Sequence, residues 1–207
     1  MKKSLFILLI LTLVSGAYAQ KIKFIQGISL SRYSVQPTRY YDSWWGIDAN
    51  YKPKHMRGLI IGAGIEFALS ENISLEIEEL YFQKGSNVAL EDPSFPDTSR
   101  WFYRLAVMSF PVLFKIKPLS GPSIYILGGG EFSVILSHKE EDTELTENTR
   151  AFDFGVILGY GFEIKTLKKP LFIEMRYHLG LADIAGENLR FNSIKTNGFA
   201  FVLGFDI

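Results

Sequence analysis

Alternation between apolar and small or polar residues runs through most of the chain and limits it to β-structure. Between residues 59 and 70, the odd positions up to Leu69 are apolar, whereas the even positions include Gly62, Gly64 and Glu66. Successive side chains of a strand point to opposite faces, so each such segment has one apolar face and one small or charged face. The alternation recurs at 106–116, 152–164, 171–181 and 199–207, and more weakly at 22–31, 73–85 and 123–137. Eight strands are therefore predicted.

The connections between these segments alternate in length. Short connections are predicted at 70–72, 118–122 and 166–170, and long ones at 32–56, 86–100, 138–150 and 182–195. Short turns at one end and long loops at the other end of an even number of antiparallel strands are typical of outer-membrane barrels. This pattern predicts periplasmic turns, outer loops, and both ends of the mature chain on the periplasmic side.

The apolar faces could meet either lipid or a second sheet. In a soluble sandwich they would face inward and the polar faces would meet water. Here the polar faces carry many glycines and isolated charges, a mixture that suits a crowded barrel interior. Ring closure also removes the open sheet edges that hydrocarbon would not tolerate. We predict an all-β fold, an eight-stranded antiparallel up-and-down transmembrane β-barrel.

The first residues are predicted to be a signal peptide rather than part of the fold. Lys2 and Lys3 form a basic start, residues 5–14 are apolar, and residues 17–19 read Ala-Tyr-Ala. These three parts in this order are typical of a secretory signal, and ten apolar residues are too few for a membrane helix. We expect residues 1–19 to be removed and residues 20–207 to form the barrel domain.

Composition and motifs exclude several functions. The chain has no cysteine, which excludes disulfides and cysteine-ligated metals, and its 22 basic residues against 22 acidic ones leave no excess charge for nucleic acid. His55, His138 and His178 lie in no metalloprotease or hydrolase motif. His178 follows Glu174 on the same strand face, but a hydrogen-bonded interior histidine accounts for it. We predict no enzyme, no cofactor, and no catalytic or metal-binding residue.

Charged side chains of both signs are predicted to point into the lumen. An eight-stranded barrel has room for side chains or for one small ligand, and buried charges require partners. A packed, structural ion-pair network is therefore expected, and a diffusion channel is not. Its members are Glu66, Glu76, Glu78, Lys84, Lys115, Glu131, Asp153, Glu163, Glu174 and Arg176.

Four aromatic residues cluster in the first long connection. Tyr40, Tyr41, Trp44 and Trp45 lie within six positions. Such rings could anchor a partner, or they could form part of an aromatic girdle at the membrane interface. The sequence leaves both interpretations open.

Four sequence blocks resemble one known family. The blocks at 78–85, 110–115, 152–155 with 159–161, and 176–181 occur in the order found in the PorT-like outer-membrane β-barrel family, often labelled porin family. The resemblance spans nearly the whole mature chain. It implies an outer-membrane location and an eight-stranded barrel. It implies no uniform activity, although one branch of the family serves type IX protein secretion.

These observations lead to a functional hypothesis. We expect a non-enzymatic outer-membrane barrel with a filled lumen, which acts through its outer loops or as an accessory of an envelope or secretion machine. The alternatives are a lipid-modifying enzyme at the rim of the barrel and a narrow pore. The expected partners are outer-membrane lipid, the barrel-assembly machinery and envelope or secretion proteins, with no nucleic acid among them.

Overall fold

The structure is a computed structural model that describes residues 20–37, 50–91, 99–118, 123–164, 170–186 and 191–207. The predicted signal peptide and the aromatic group Tyr40, Tyr41, Trp44 and Trp45 lie outside the described residues. The described residues contain nine strands: β1 Gln20–Pro37, β2 Asn50–Ala68, β3 Ile73–Glu91, β4 Ser99–Ile116, β5 Ile124–Glu140, β6 Thr143–Glu144, β7 Phe152–Ile164, β8 Leu171–Gly180 and β9 Phe191–Asp206.

Eight of these strands close into a ring. All the pairings are antiparallel, and strands that follow each other in the chain lie side by side. β4 pairs with β5, and β1 pairs with β9 from Lys23 opposite Asp206 to Pro37 opposite Phe191. The two-residue β6 pairs only with the end of β5. The predicted eight-stranded up-and-down barrel is confirmed.

The strands continue well beyond the predicted loop boundaries. β1 to β5 contain 17 to 19 residues, and β9 contains 16. The predicted long connections 32–56, 86–100 and 182–195 were therefore too long, because strands occupy much of each. About 9–11 residues suffice for a tilted crossing, so the ladders extend past the membrane. There, outward residues such as Arg32, Arg57 and Arg104 are charged, and the alternation in hydropathy fades while the backbone pairing persists.

The outer wall is apolar around the middle of the barrel. In β7, Phe154, Leu158 and Tyr160 point outward and are more than half exposed, and Leu158 is 62% exposed. Large apolar residues on other strands are exposed as well, including Ile28, Leu59, Ile61, Phe114, Ile126, Phe201 and Leu203. No helix in the described part of the chain is long and apolar enough to span a membrane.

Glycines on the inner face provide space for large inward side chains. A Cβ at Gly161 would lie 2.6 Å from Cγ of Glu174 and 2.8 Å from the ring of Tyr125. A Cβ at Gly204 would lie 2.2 Å from the ring of Phe172. All three distances are shorter than van der Waals contact. These glycines therefore leave room for the side chains of Tyr125, Phe172 and Glu174 inside the barrel.

Candidate functional site

The lumen holds a set of charged side chains that point inward from seven of the eight strands of the ring. The inward position follows from the strand period of two residues, which places every second side chain of each strand in the lumen. Ten of these side chains are at most 5% exposed: Lys23, Glu66, Glu76, Glu78, Lys84, Lys115, Glu131, Asp153, Glu174 and Arg176. Glu163 is half-buried. The structure thus brings the charged residues singled out in the sequence into one interior, together with Lys23.

Two lysines organise the group at the short-turn end of the lumen. Lys23 Nζ lies 2.5 Å from Glu66 Oε2 and 2.8 Å from Glu76 Oε2. Lys115 Nζ lies 3.2 Å from the same oxygen of Glu66 and 3.4 Å from Glu163 Oε1. The ammonium group of Lys115 also sits 3.9 Å from the ring centroid of Tyr125. The aromatic face and the carboxylates together replace the water that these cations lose on burial.

Arg176 on β8 forms the central group. Its Nη1 and Nη2 donate to the two carboxylate oxygens of Glu78 at 2.6 and 2.7 Å, across the barrel on β3. Its Nε donates to Glu174 Oε2 at 2.7 Å. Tyr125 donates its hydroxyl hydrogen to the other oxygen of Glu174 at 2.6 Å. The planar guanidinium therefore joins two carboxylates with the fork geometry that favours arginine over lysine.

Lys84 on β3 organises the third group, nearer the long-loop end. Lys84 Nζ lies 2.8 Å from Glu131 Oε1 and 3.4 Å from Asp153 Oδ2. His178 Nδ1 lies 3.1 Å from Glu131 Oε2, and the Thr196 hydroxyl donates to Asp153 Oδ2 at 2.9 Å. Each of the three groups thus links strands that are not neighbours in the ring. Such cross-links place buried charged side chains across the lumen.

A layer of aromatic and aliphatic residues lies beyond the third group. The rings of Tyr33 and Tyr103 are 5.8 Å apart, and that of Phe191 is 5.9 Å from Tyr103. Ile184 is fully buried in the same cluster and is held by a hydrogen bond from its N–H to Ile194 O at 2.9 Å. This cap, formed by Tyr33, Tyr103, Ile184 and Phe191, was not predicted, because nothing in the alternation marks residues 181–186 as buried.

Two of the three histidines are tied into this interior. His138 Nε2 lies 3.2 Å from the hydroxyl of Tyr33, and its Nδ1 lies 2.7 Å from Oγ1 of Thr149. His178 packs edge-on against Phe82 at 5.0 Å. Both histidines are at most 3% exposed. Among the described residues, no group of three His, Asp or Glu side chains is arranged to hold a metal ion.

His55 is exposed and borders a cleft on the barrel surface. The described residues that line this cleft are Arg32, His55, Tyr177, Asn197, Gly198 and Phe199. They supply neither a serine nor a carboxylate, so they contain no nucleophile–histidine–acid arrangement.

Sequence reasoning did not select Lys23. The segment 22–31 alternates weakly, because apolar Phe24 points outward while apolar Ile25 points inward and is fully buried. Hydropathy therefore gave no basis for choosing the inward face of β1. The pairing of β1 with β2 identifies the inward face of β1. Lys23 pairs with Gly64, which is two positions from the inward Glu66 and therefore on the same face.

Comparison with solved structures finds small outer-membrane proteins. The outer membrane protein OprG from Pseudomonas aeruginosa has a TM-score of 0.47 at 9% identity, covering 92% of this chain and 96% of that chain. Neisserial surface protein A has a TM-score of 0.49 at 11% identity, covering 92% and 99%. Ail, the attachment invasion locus protein of Yersinia pestis, has a TM-score of 0.42 at 10% identity, covering 92% and 100%.

Comparison with curated protein sequences finds no match. A family model described as outer membrane protein beta-barrel domain matches residues 19–186, which is most of the chain. This match agrees with the closed antiparallel ring, the apolar outer wall and the charged interior. The chain belongs to the outer membrane protein beta-barrel domain family, and its location is the outer membrane.

Proposed function

We propose that this protein is a non-enzymatic outer-membrane barrel with a closed lumen, which acts through its outer loops or as an accessory of an envelope or secretion machine. The observation that carries the proposal is the set of buried side chains that cross the lumen at several levels. Three ion-paired groups are stacked below the cap of Tyr33, Tyr103, Ile184 and Phe191. A lumen filled in this way leaves the outer surface as the region available for activity.

The arrangement of the histidines supports a non-enzymatic role. A lipid-modifying enzyme at the rim needs a histidine that can reach both a nucleophile and the substrate. His138 and His178 are buried in the interior, and the cleft beside His55 is lined by described residues without serine or carboxylate.

The accessory role is supported by the resemblance of four sequence blocks to the PorT-like family, one branch of which serves type IX protein secretion. The corresponding partners would be envelope or secretion proteins, in addition to outer-membrane lipid and the barrel-assembly machinery. The inward residues Glu78 and Arg176 of these blocks are paired with each other in the lumen. Partner contacts would then lie on the loops.

The hairpin between β5 and β6 is one of the connections at the long-loop end of the barrel. Lys139 pairs with Glu144 and Glu140 pairs with Thr143, and Glu141 has a left-handed φ of 54° at the turn. The Thr146 hydroxyl donates a hydrogen bond to the Glu144 carboxylate and lowers the pKa of that carboxyl. The hairpin tip is exposed and charged, as expected of an element in water.

Surface labelling tests this orientation. An epitope inserted after Asp142, at the exposed tip of the hairpin, should be labelled by antibody on intact cells. An epitope inserted after Glu71, in the tight turn where the N–H groups of Leu69 and Ser70 both donate to Ile73 O, should be labelled only after the outer membrane is permeabilised. Labelling after Glu71 on intact cells would place the hairpin in the periplasm and overturn a role for it at the cell surface.

A further inference from the structure

Glu79 lies on the outer wall at the centre of its apolar band. It is exposed, and it pairs with Ala63 of β2, whose outward neighbours Ile61 and Ile65 continue the apolar face. On β4, the outward residues Met108 and Val112 are the partners of Tyr81 and Ile77, so Glu79 lies level with the stretch between them. A carboxylate thus stands where the neighbouring strands present hydrocarbon side chains.

Position and charge together make Glu79 unlike the other carboxylates of the barrel. Ionisable residues at membrane depth normally face the protein interior and pair there, as Glu78 does with Arg176. Within the described part of the chain, the side chain of Glu79 forms no hydrogen bond or ion pair. At membrane depth the Glu79 carboxylate is removed from water, and its own barrel supplies no partner. It therefore requires a hydrogen-bond donor from another molecule.

Tyr81 supplies a donor of the right kind on the same strand and face. Gln83 Nε2 donates to the Tyr81 hydroxyl oxygen at 3.2 Å, and the Leu59 N–H in turn donates to Gln83 Oε1 at 3.4 Å. Because the Tyr81 oxygen accepts from Gln83, its own hydroxyl hydrogen is free to be donated away from the wall. We call Glu79, Tyr81 and Gln83 the β3 polar stripe.

Acceptor and donor on one strand suit a two-fold contact between identical barrels. In such an interface, residue i of one copy meets residue j of the other and the reverse contact also forms. A two-fold axis along the membrane normal leaves each residue at the same depth in both copies. Because Glu79 and Tyr81 are only two positions apart, Glu79 of one copy lies at nearly the depth of Tyr81 in the other. The small side chains of Ala63 beside Glu79 and Ala106 beside Gln83 allow two walls to approach closely.

We infer that the β3 polar stripe is a dimer interface between two copies of this chain, in which Glu79 of each copy accepts a hydrogen bond from Tyr81 of the partner subunit. A second copy is the occupant that satisfies both groups at once, since it brings one donor and one acceptor at matching depth. A lipid chain satisfies neither group.

Sedimentation equilibrium in density-matched detergent tests the inference through the mass of the protein. The mature wild-type protein should have twice the mass of one chain, whereas Glu79→Leu and Tyr81→Phe should each shift the population toward monomer at least tenfold. Both variants should retain the heat-modifiable folded band, because these side chains are on the outer face of β3, opposite the buried Glu78 and Leu80. A monomeric wild-type protein, or a dimer that both substitutions leave intact, would overturn the inference.

Disulfide cross-linking in isolated outer membranes locates the contact. The natural chain has no cysteine, so a single Ala63→Cys substitution next to the stripe should give a covalent dimer on oxidation. Ile173→Cys on β8, on the far side of the ring, is the matched control and should remain monomeric. A dimer that cross-links through residue 173 but not through residue 63 would place the interface on another wall and refute the proposal.

Discussion

Replacing Arg176 with alanine should destabilise the folded barrel by about 3–5 kcal/mol, the usual cost of removing one partner of a buried ion pair. Arg176 is 1% exposed and provides hydrogen bonds to both oxygens of Glu78 and to Glu174. Its loss leaves two carboxylates in the lumen without their cation. The unfolding midpoint in urea, measured on vesicle-bound protein by tryptophan fluorescence, should fall accordingly.

Lys139→Ala is the matched control for this measurement. Lys139 also pairs with a glutamate, but its Nζ lies 3.5 Å from Glu144, and both side chains are about half exposed. Exposed pairs of this kind contribute about 0–1 kcal/mol. If Arg176→Ala unfolded at the same urea concentration as Lys139→Ala, the ion-paired groups of the lumen would not hold the barrel together.

Replacing Leu158 with arginine should cost about 2–4 kcal/mol, because it places a charge at the membrane midplane. Leu158 is 62% exposed and is the central one of seven outward positions of β7 between Phe152 and Ile164. The measured quantities are the fraction of folded, heat-modifiable protein after refolding into vesicles and its urea midpoint.

Ile164→Arg tests the dependence on depth. Ile164 is on the same face of the same strand, but it lies at the end of β7, where the cost of arginine falls to about 0–1 kcal/mol. A smaller loss of folded protein than for Leu158→Arg is expected. Equal effects of the two substitutions would mean that the outer wall of β7 does not cross hydrocarbon.

The sequence predicted the ring strands because hydropathy alternates with the two-residue period of a strand wherever the outer wall is apolar. The predicted strand 152–164 has the bounds of β7, and the predicted strand 171–181 exceeds β8 by one residue. The outer ends of the strands were not predicted, because hydropathy no longer alternates there. Past the apolar band both faces of a strand can be polar, as around Arg32, and only the backbone ladder, which sequence does not reveal, defines the element.

The interior charges illustrate what a period of two can and cannot predict. It indicates the face on which Glu78 and Arg176 lie, but these residues are 98 positions apart, and their meeting depends on the register accumulated around the ring. Lys23 was missed because β1 alternates weakly. The cap was missed because Ile184 is buried in one cluster with the sequence-distant Tyr103 and Phe191, and no local pattern indicates this.

The central claim is that the lumen of this outer-membrane barrel is closed, and conductance across a planar lipid bilayer tests it most directly. The purified, folded wild-type protein should give no stable current steps over a range of voltages, while a general porin reconstituted in parallel gives them. The expected absence of current follows from the ion-paired groups around Lys23, Arg176 and Lys84 and from the cap above them, which place side chains across the lumen. Reproducible ohmic steps from the wild-type protein would contradict the account and make the lumen a pore.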